Sequence, residues 1–140
     1  MIAVKYYIIS IQRGGDMEFI AHIKNGCIQT VSEHSLNTAE LCECYASSFE
    51  CGNIGRIQGL LHDAGKLTIE FNSYIKGESG AARGSIDHSY AGARYLDEIS
   101  LNCKHRKAAQ LAARTIISHH GLHVREKVYL TGVQPLQRIK

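Results

Sequence analysis

The chemistry open to this chain of 140 residues lies in its histidines and aspartates. Eight histidines are present, a high number for the length. Several stand beside an aspartate or another histidine: the doublet His62-Asp63, His88 after Asp87, and the pair His119-His120; His34 is a further candidate on its own. Imidazole is the commonest transition-metal ligand, and a carboxylate oxygen is a frequent companion. His62-Asp63 supplies one of each at the end of an apolar segment. Asp63 has two oxygens and could bridge two ions ~3.5–4 Å apart, the separation found in two-metal hydrolytic sites. Adjacent helical residues diverge by about 100°. His119 and His120 therefore share a site only where it lies across the face between them, as in the core of a helical bundle. Each element alone has a plainer reading as a surface pair, a helix end or, for Asp87, an N-cap. Together they point to bound divalent metal.

Helical periodicity supplies the elements that must position these groups. From about Thr30 the apolar spacing is helical, with Ser32 or Ser35 as cap and Leu36, Ala39, Leu41, Cys42, Tyr45 and Phe49 along one helix. Gly52 and Gly55 punctuate. A second segment carries Ile57, Leu60, Leu61 and Ala64 and stops at Gly65. Residues 67–76 read as a short amphipathic helix holding Ile69, Phe71, Tyr74 and Ile75. The glycine-rich stretch 77–84 reads as a loop. A third major helix starts at Ser85 or Asp87 and carries Tyr90, Ala91, Ala93, Tyr95, Leu96 and Ile99. A fourth runs from Ala108 to His120, and the tail from Val124 to Lys140 is ambiguous. Residues 1–16 look foreign to the rest: Met17 is a natural start, and 1–16 form a leader or flexible N-terminus, with a short β-strand over the Tyr and Ile residues as the alternative.

Composition narrows the class. The chain is 44% hydrophobic and 21% charged, which is ordinary for one globular domain. No apolar stretch approaches the ~20 residues that span a bilayer, so a cytoplasmic protein without membrane attachment is expected. Cys27, Cys42, Cys44, Cys51 and Cys103 lack the C-x-x-C pattern and read as small buried hydrophobes, with Cys42-x-Cys44 as a metal clip the alternative. From Leu101 onward eight lysines and arginines (Lys104, Arg106, Lys107, Arg114, Arg125, Lys127, Arg138, Lys140) face Glu126 alone. That bias suits either a polyanionic partner or a solvated basic face.

The ordered set His34, then Gly59-Leu60-Leu61-His62-Asp63-Ala64-Gly65-Lys66, then Asp87-His88-Ser89, then Ser118-His119-His120-Gly121 resembles the HD nuclease domain of the CRISPR-associated nuclease–helicase of type I systems. The likeness runs from Phe19 to Leu122. It implies an all-α, HD-domain-like helical bundle over residues 17–140, with a short N-terminal strand as an option. His34, His62 and Asp63 would hold one metal ion. Asp63, His88, His119 and His120 would hold a second, and Asp63 would bridge them. Lys66 would sit at the mouth of the site near the scissile phosphate, so Asp63 and Lys66 carry the catalytic expectation. The cofactors implied are one or two divalent transition metal ions: manganese, nickel, cobalt, iron or zinc. The activity implied is cutting of single-stranded DNA in antiviral defence, beside a helicase domain or chain and an RNA-guided surveillance complex. A divalent ion lowers the pKa of water toward ~7 and counters charge on phosphoryl oxygens, which agrees with those roles. Tyr74 and Tyr90 could stack on bases or simply pack. His22 has a supporting or a bland role, Ser89 caps or hydrogen-bonds near the site rather than ligating, and His105 and His123 read as surface residues.

This chain departs from the family's pattern in one respect. A late aspartate completes the first metal shell in that family, and no aspartate follows Asp97 here. The C-terminal part of the domain and the helicase motor are missing too, so the chain reads as truncated. Two other functions compete: an HD phosphohydrolase acting on nucleotides, and a non-catalytic remnant that keeps the fold without turnover.

Overall fold

The structure is a computed structural model that describes residues 19–82 and 84–119. A two-stranded antiparallel sheet, β1 (Ile20–Lys24) and β2 (Cys27–Thr30), precedes five α-helices. These are α1 (Val31–Ser47), α2 (Gly52–Leu61), α3 (Ile69–Ile75), α4 (Tyr90–Ile99) and α5 (Arg106–Ser118), with a single 3₁₀ turn at Ala64–Lys66 between α2 and α3. The helical architecture expected of an HD domain is present, and the strand element is a hairpin at 20–30. The strand weighed within residues 1–16 lies outside the described residues.

The hairpin closes through Asn25-Gly26, with φ of 52° and 78°. Two successive left-handed residues make the tight turn whose twist matches paired strands, and asparagine followed by glycine is its commonest sequence. The pairing runs Ile20 with Thr30 and then His22 with Gln29, so Ala21 is an extra residue in β1. Such a bulge puts Ile20 and Ala21 both inside, at 7% and 1% exposure. The Ile20 amide also donates to Asn72 Oδ1 on α3 at 3.2 Å.

Helix α1 begins in a capping box. Thr30 Oγ1 accepts from the Glu33 amide at 3.1 Å, and the Glu33 carboxylate accepts from the Thr30 amide at 3.0 Å. The cap is thus Thr30 rather than Ser32 or Ser35, because only Thr30 has a glutamate three residues on. Ser35 is instead fully buried. The inward face of α1 is Val31, Ser35 and Ala39, while Leu41, Tyr45 and Phe49 are 59%, 74% and 79% exposed. The sequence pattern favoured the larger apolar residues; close helix packing favoured the small ones. On α2 the buried residues are Gly55, Gly59 and Leu61. A Cβ on Gly59 would lie 2.5 Å from Ala39 Cα.

Helix α3 is capped by Thr68, whose hydroxyl accepts from the Phe71 amide. Helix α4 starts at Tyr90, after Ser85 and Asp87, because the Asp87 carboxylate accepts from the Ser89 amide and hydroxyl and closes a turn ahead of the helix. Asp97, buried at the end of α4, pairs with Arg106 at 3.1 Å and fixes the start of α5. Gln58 on α2 hydrogen-bonds Thr115 on α5. The core gathers Ala21, Val31, Leu61, Ala64, Leu67, Ala93, Leu96, Ala112, Ala113 and Ile116, so all helices except α3 and both ends of the 3₁₀ turn feed it. The cysteines are not core residues: Cys27, Cys44, Cys51 and Cys103 are exposed, Cys42 is half-buried, and all are free thiols. At the close helix contacts the buried positions include alanine and glycine, which are smaller. No helix among the described residues is long and apolar enough to cross a membrane.

A Cβ on Gly92 would collide with the Leu61 carbonyl oxygen, which is backbone and cannot swing aside. Gly92→Ala should therefore cost about 1–3 kcal/mol or more. Gly80→Ala meets open space but keeps a φ of +64°, so its cost should be about 1–2 kcal/mol. Urea denaturation midpoints of both variants check the ranking.

Candidate metal centre

Asp63 is the hub of the site. It follows the last turn of α2, where φ −108° and ψ 18° end the helix and turn the chain into the 3₁₀ turn. Its side chain is 3% exposed. Oδ2 lies 2.9 Å from Lys66 Nζ, 3.1 Å from His34 Nε2 and 3.3 Å from His62 Nε2. Oδ1 lies 3.3 Å from His119 Nε2 and 3.6 Å from His88 Nε2. Four segments converge here: the first turn of α1 (His34), the end of α2 (His62, Asp63), the residues before α4 (His88) and the end of α5 (His119).

Hydrogen bonding fixes which nitrogen each ring turns inward. A backbone carbonyl can only accept, so the ring nitrogen facing it carries a proton. His62 Nδ1 donates to the Gly59 carbonyl at 2.8 Å, His88 Nδ1 to Ile86 at 3.3 Å, and His119 Nδ1 to Ile116 at 2.5 Å. In the neutral rings Nε2 is then a lone pair, and all three Nε2 atoms face the Asp63 carboxylate. His34 Nε2 and His62 Nε2 are 3.0 Å apart. Lone pairs converging on an anion repel unless a proton or a cation lies among them. Histidines that donate one ring N–H to a carbonyl and point the other nitrogen at a carboxylate have the arrangement metal ligands adopt. The donor set therefore fits a divalent transition metal.

The titration behaviour follows from this crowding. Burial pushes the Asp63 carboxyl up, but hydrogen bonds from His119, His62 and Lys66 outweigh it and hold the group far below the carboxylate range. Burial is the first cause that lowers His34, His88 and His22, with the ammonium of Lys66 adding to it. His119 is also pressed down by burial, yet its bonds to Asp63 and the Ile116 carbonyl raise it overall.

The structure brings together His34, His62, Asp63, Lys66, His88 and His119; His120 lies outside the described residues. Lys66 was expected at the mouth of the site and is instead buried, 4% exposed, its ammonium also donating to the Ala21 carbonyl at 3.3 Å. Among the described residues, two groups of ligand atoms lie within 4.8 Å of one another: His22, His34 and Asp63 in one, Asp63, His88 and His119 in the other. His22 was undervalued from sequence. It reaches the cluster because the hairpin folds back, and the Asn25-Gly26 pair was the signal that a hairpin follows it. Phe71 lines the other wall, its ring 5.1 Å from that of His88. Tyr74 packs on Phe71 at 5.6 Å, and its hydroxyl accepts from the Gly84 amide. Tyr90 is half-buried, His105 is exposed, and Ser89 bonds Asp87 rather than facing the carboxylate. Of the basic residues beyond Leu101, Lys104, Arg106, Lys107 and Arg114 are described; Arg106 is engaged with Asp97, and His123 lies outside the described residues.

Comparison with known protein families matches residues 31–139 to the family described as HD domain. No curated protein and no solved structure matches the chain.

Manganese, nickel, cobalt or zinc ions should raise the melting temperature with the logarithm of their concentration above Kd, adding about 2.7 kcal/mol of stability at 100 times Kd. Asp63→Ala should abolish the shift; thermal scans with and without chelator read it.

The metal-free chain carries a defined pH signature. His22, His34 and His88 have folded pKa values below 6.5, so their contribution is complete above that pH and is lost as pH falls through the folded values. The raised His119 acts oppositely, present below 6.5 and lost above its folded value. Three groups against one should make the protein less stable at pH 5 than at pH 7 in chelator, and His34→Gln with His88→Gln should flatten that slope in urea titrations.

Proposed function

The chain belongs to the HD-domain family, and from that premise we propose that it is a metal-dependent phosphodiesterase that cuts single-stranded DNA. Members of the family are metal-dependent phosphohydrolases, and the histidine–aspartate cluster gives this chain a place for divalent metal. The observation that carries the reading is the partition of ligands across one carboxylate. His34 and His62 approach Oδ2 of Asp63, while His88 and His119 approach Oδ1. One buried carboxylate with imidazoles on both oxygens suits a pair of ions held by a bridge. His120 is proposed to join the Oδ1 side.

Bound there, a divalent ion supplies Lewis acidity, making water a nucleophile near neutral pH and countering charge on phosphoryl oxygens. The chain's own groups do the positioning. The carbonyls of Gly59, Ile86 and Ile116 hold three rings in one tautomer, and Asp63 stays ionised across the physiological range. Lys66 places a positive charge beside the reacting region, suited to an anionic phosphodiester. Phe71 and the buried α2–3₁₀ junction keep one wall dry, which strengthens these charges.

Single-stranded DNA is the proposed substrate because the order and spacing of the His-Asp, Asp-His-Ser and His-His-Gly elements resemble the CRISPR-associated nuclease. The basic residues after Leu101 supply charge for a phosphate backbone. A helicase and an RNA-guided surveillance complex are the proposed partners in defence against invading DNA, in the cytoplasm.

Incubation of the purified protein with manganese, nickel or cobalt and a labelled single-stranded oligonucleotide should yield shortened products. His62→Ala and Asp63→Ala should each slow cutting at least ~100-fold, about 2.7 kcal/mol in the barrier. Phosphate release from nucleotides with the oligonucleotide left intact would transfer the reading to a nucleotide phosphohydrolase. Equal residual cutting by wild type and His62→Ala would mark contamination and leave a non-catalytic domain.

A further inference from the structure

His34 and His62 approach Oδ2 of Asp63, and a third imidazole that lies with His34 and Asp63 comes from outside the helical bundle. His34 and His62 are delivered by α1 and α2. The third, His22, is delivered by β1, and the bulge at Ala21 is what delivers it. In a regular strand Ile20 and His22 would share a face. The extra residue breaks that alternation: Ile20 and Ala21 both turn into the core, and His22 comes onto the rim of the cluster. Bulges re-aim side chains in this way.

The surroundings of His22 are those of a cation ligand. Its ring meets that of His34 edge-on, with centroids 4.7 Å apart and planes at 78°. Its Nε2 lies 3.4 Å from Lys66 Nζ. An ammonium can only donate, so Nε2 of His22 is the accepting nitrogen, with its lone pair directed inward. The same ammonium donates to Asp63 Oδ2 at 2.9 Å. A positive charge therefore already lies between the His22 lone pair and the carboxylate oxygen. Ligand atoms of His22, His34 and Asp63 all fall within 4.8 Å of one another. Nitrogen and oxygen ligands sit about 2.0–2.2 Å from such an ion, so the set has to close by roughly an ångström, which rotation of the exposed His22 side chain supplies.

We propose that His22 is a direct ligand to the divalent ion on the Oδ2 side of Asp63, completing a set with His34, His62 and Asp63. This rests on reading the cluster as a metal centre. It assigns to the hairpin a ligand that the helical part of the chain does not provide. The Oδ2 side then has the mutually close atoms of His22, His34 and Asp63, with His62 Nε2 beside them at 3.0 Å from His34 Nε2 and 3.3 Å from Oδ2. A residue that merely packed against His34 would need the ring of His22 but not its nitrogen, and that difference makes the proposal testable.

Zinc binding to the whole chain is followed by calorimetry and by ¹⁵N NMR of ring-labelled histidines, for wild type, His22→Phe, His22→Gln and Asp63→Ala. Phenylalanine keeps a ring against His34 without a ligand atom, and far-ultraviolet circular dichroism verifies the fold of each variant. Zinc should move the His22 Nε2 resonance of the wild type, recognised by its loss in both His22 variants. In both, the Oδ2-side ion should bind at least ~10-fold more weakly while the Oδ1-side ion is unaffected. An unmoved His22 resonance at saturation, or wild-type affinity in His22→Phe, overturns the proposal and leaves the metal centre standing. Wild-type zinc binding by Asp63→Ala, or no zinc binding by the wild type, overturns the metal centre itself and this proposal with it.

Discussion

A carboxylate buried away from water has to be matched by positive charge or hydrogen-bond donors, and the site around Asp63 is organised by that demand. Its side chain is 3% exposed, yet it stays ionised because Lys66 and the imidazoles of His119 and His62 meet its oxygens. His62 and Lys66 are local to Asp63, but His34, His88 and His119 come from distant places along the chain, so gathering them on one anion requires α1, α2, the segment before α4 and the end of α5 to converge. Breaking such a set by removing one charged partner typically costs about 3–5 kcal/mol. The polar cluster thus constrains the fold as much as the apolar core does.

Convergence at that range is possible because the contacting surfaces are small. Gly59 against Ala39 brings α2 onto α1, and Gly92 against the Leu61 carbonyl brings α4 onto the end of α2. Gly65 does the same two residues after Asp63: a Cβ there would run into the backbone of His88, whose ring approaches Oδ1. The glycine in the His-Asp-Ala-Gly-Lys run is therefore part of the site's geometry, since it sets how near the segment carrying His88 can lie. The large apolar residues Leu41 and Tyr45 of α1, and Phe49 just after it, are left on the outside by the same logic.

These packing rules explain what could and could not be read from the residues alone. The chemistry-bearing positions were legible, because histidine beside aspartate is rare enough to notice and the order of the elements is specific. Helices were legible from period and punctuation, with the cap of α1 displaced to Thr30 by the capping box with Glu33. The inward face of α1 was not, since hydrophobicity ranks Leu41 and Tyr45 above Ser35 and Ala39, and only the partner's glycines reverse that order. The cysteines failed for a related reason: their tendency to be buried is a statistical preference, and alanine and glycine occupy the space near the helix contacts. His22 was obscured because its position depends on a bulge, a register feature set by pairing between β1 and β2. The burial of Lys66 was hidden as well, for a local sequence does not show that the Ala21 carbonyl and Asp63 will enclose the ammonium.

That enclosure bears on how a cation centre can exist before it has its cation. Three Nε2 lone pairs and a carboxylate facing inward form a repulsive assembly, and desolvation removes the water that would otherwise soften it. Protonation of a ring offers one relief, and the raised pKa of His119 shows where the proton is best held, between Nε2 and Oδ1. Lys66 offers another on the opposite oxygen, three residues from the carboxylate and on the same turn. One positive charge on each oxygen keeps Asp63 ionised and the rings in place. Both are exchangeable, because a proton can leave and a four-carbon stem can swing. A divalent ion entering either side therefore meets a ligand set already assembled around positive charge, and the fold has met the cost of gathering those ligands in advance.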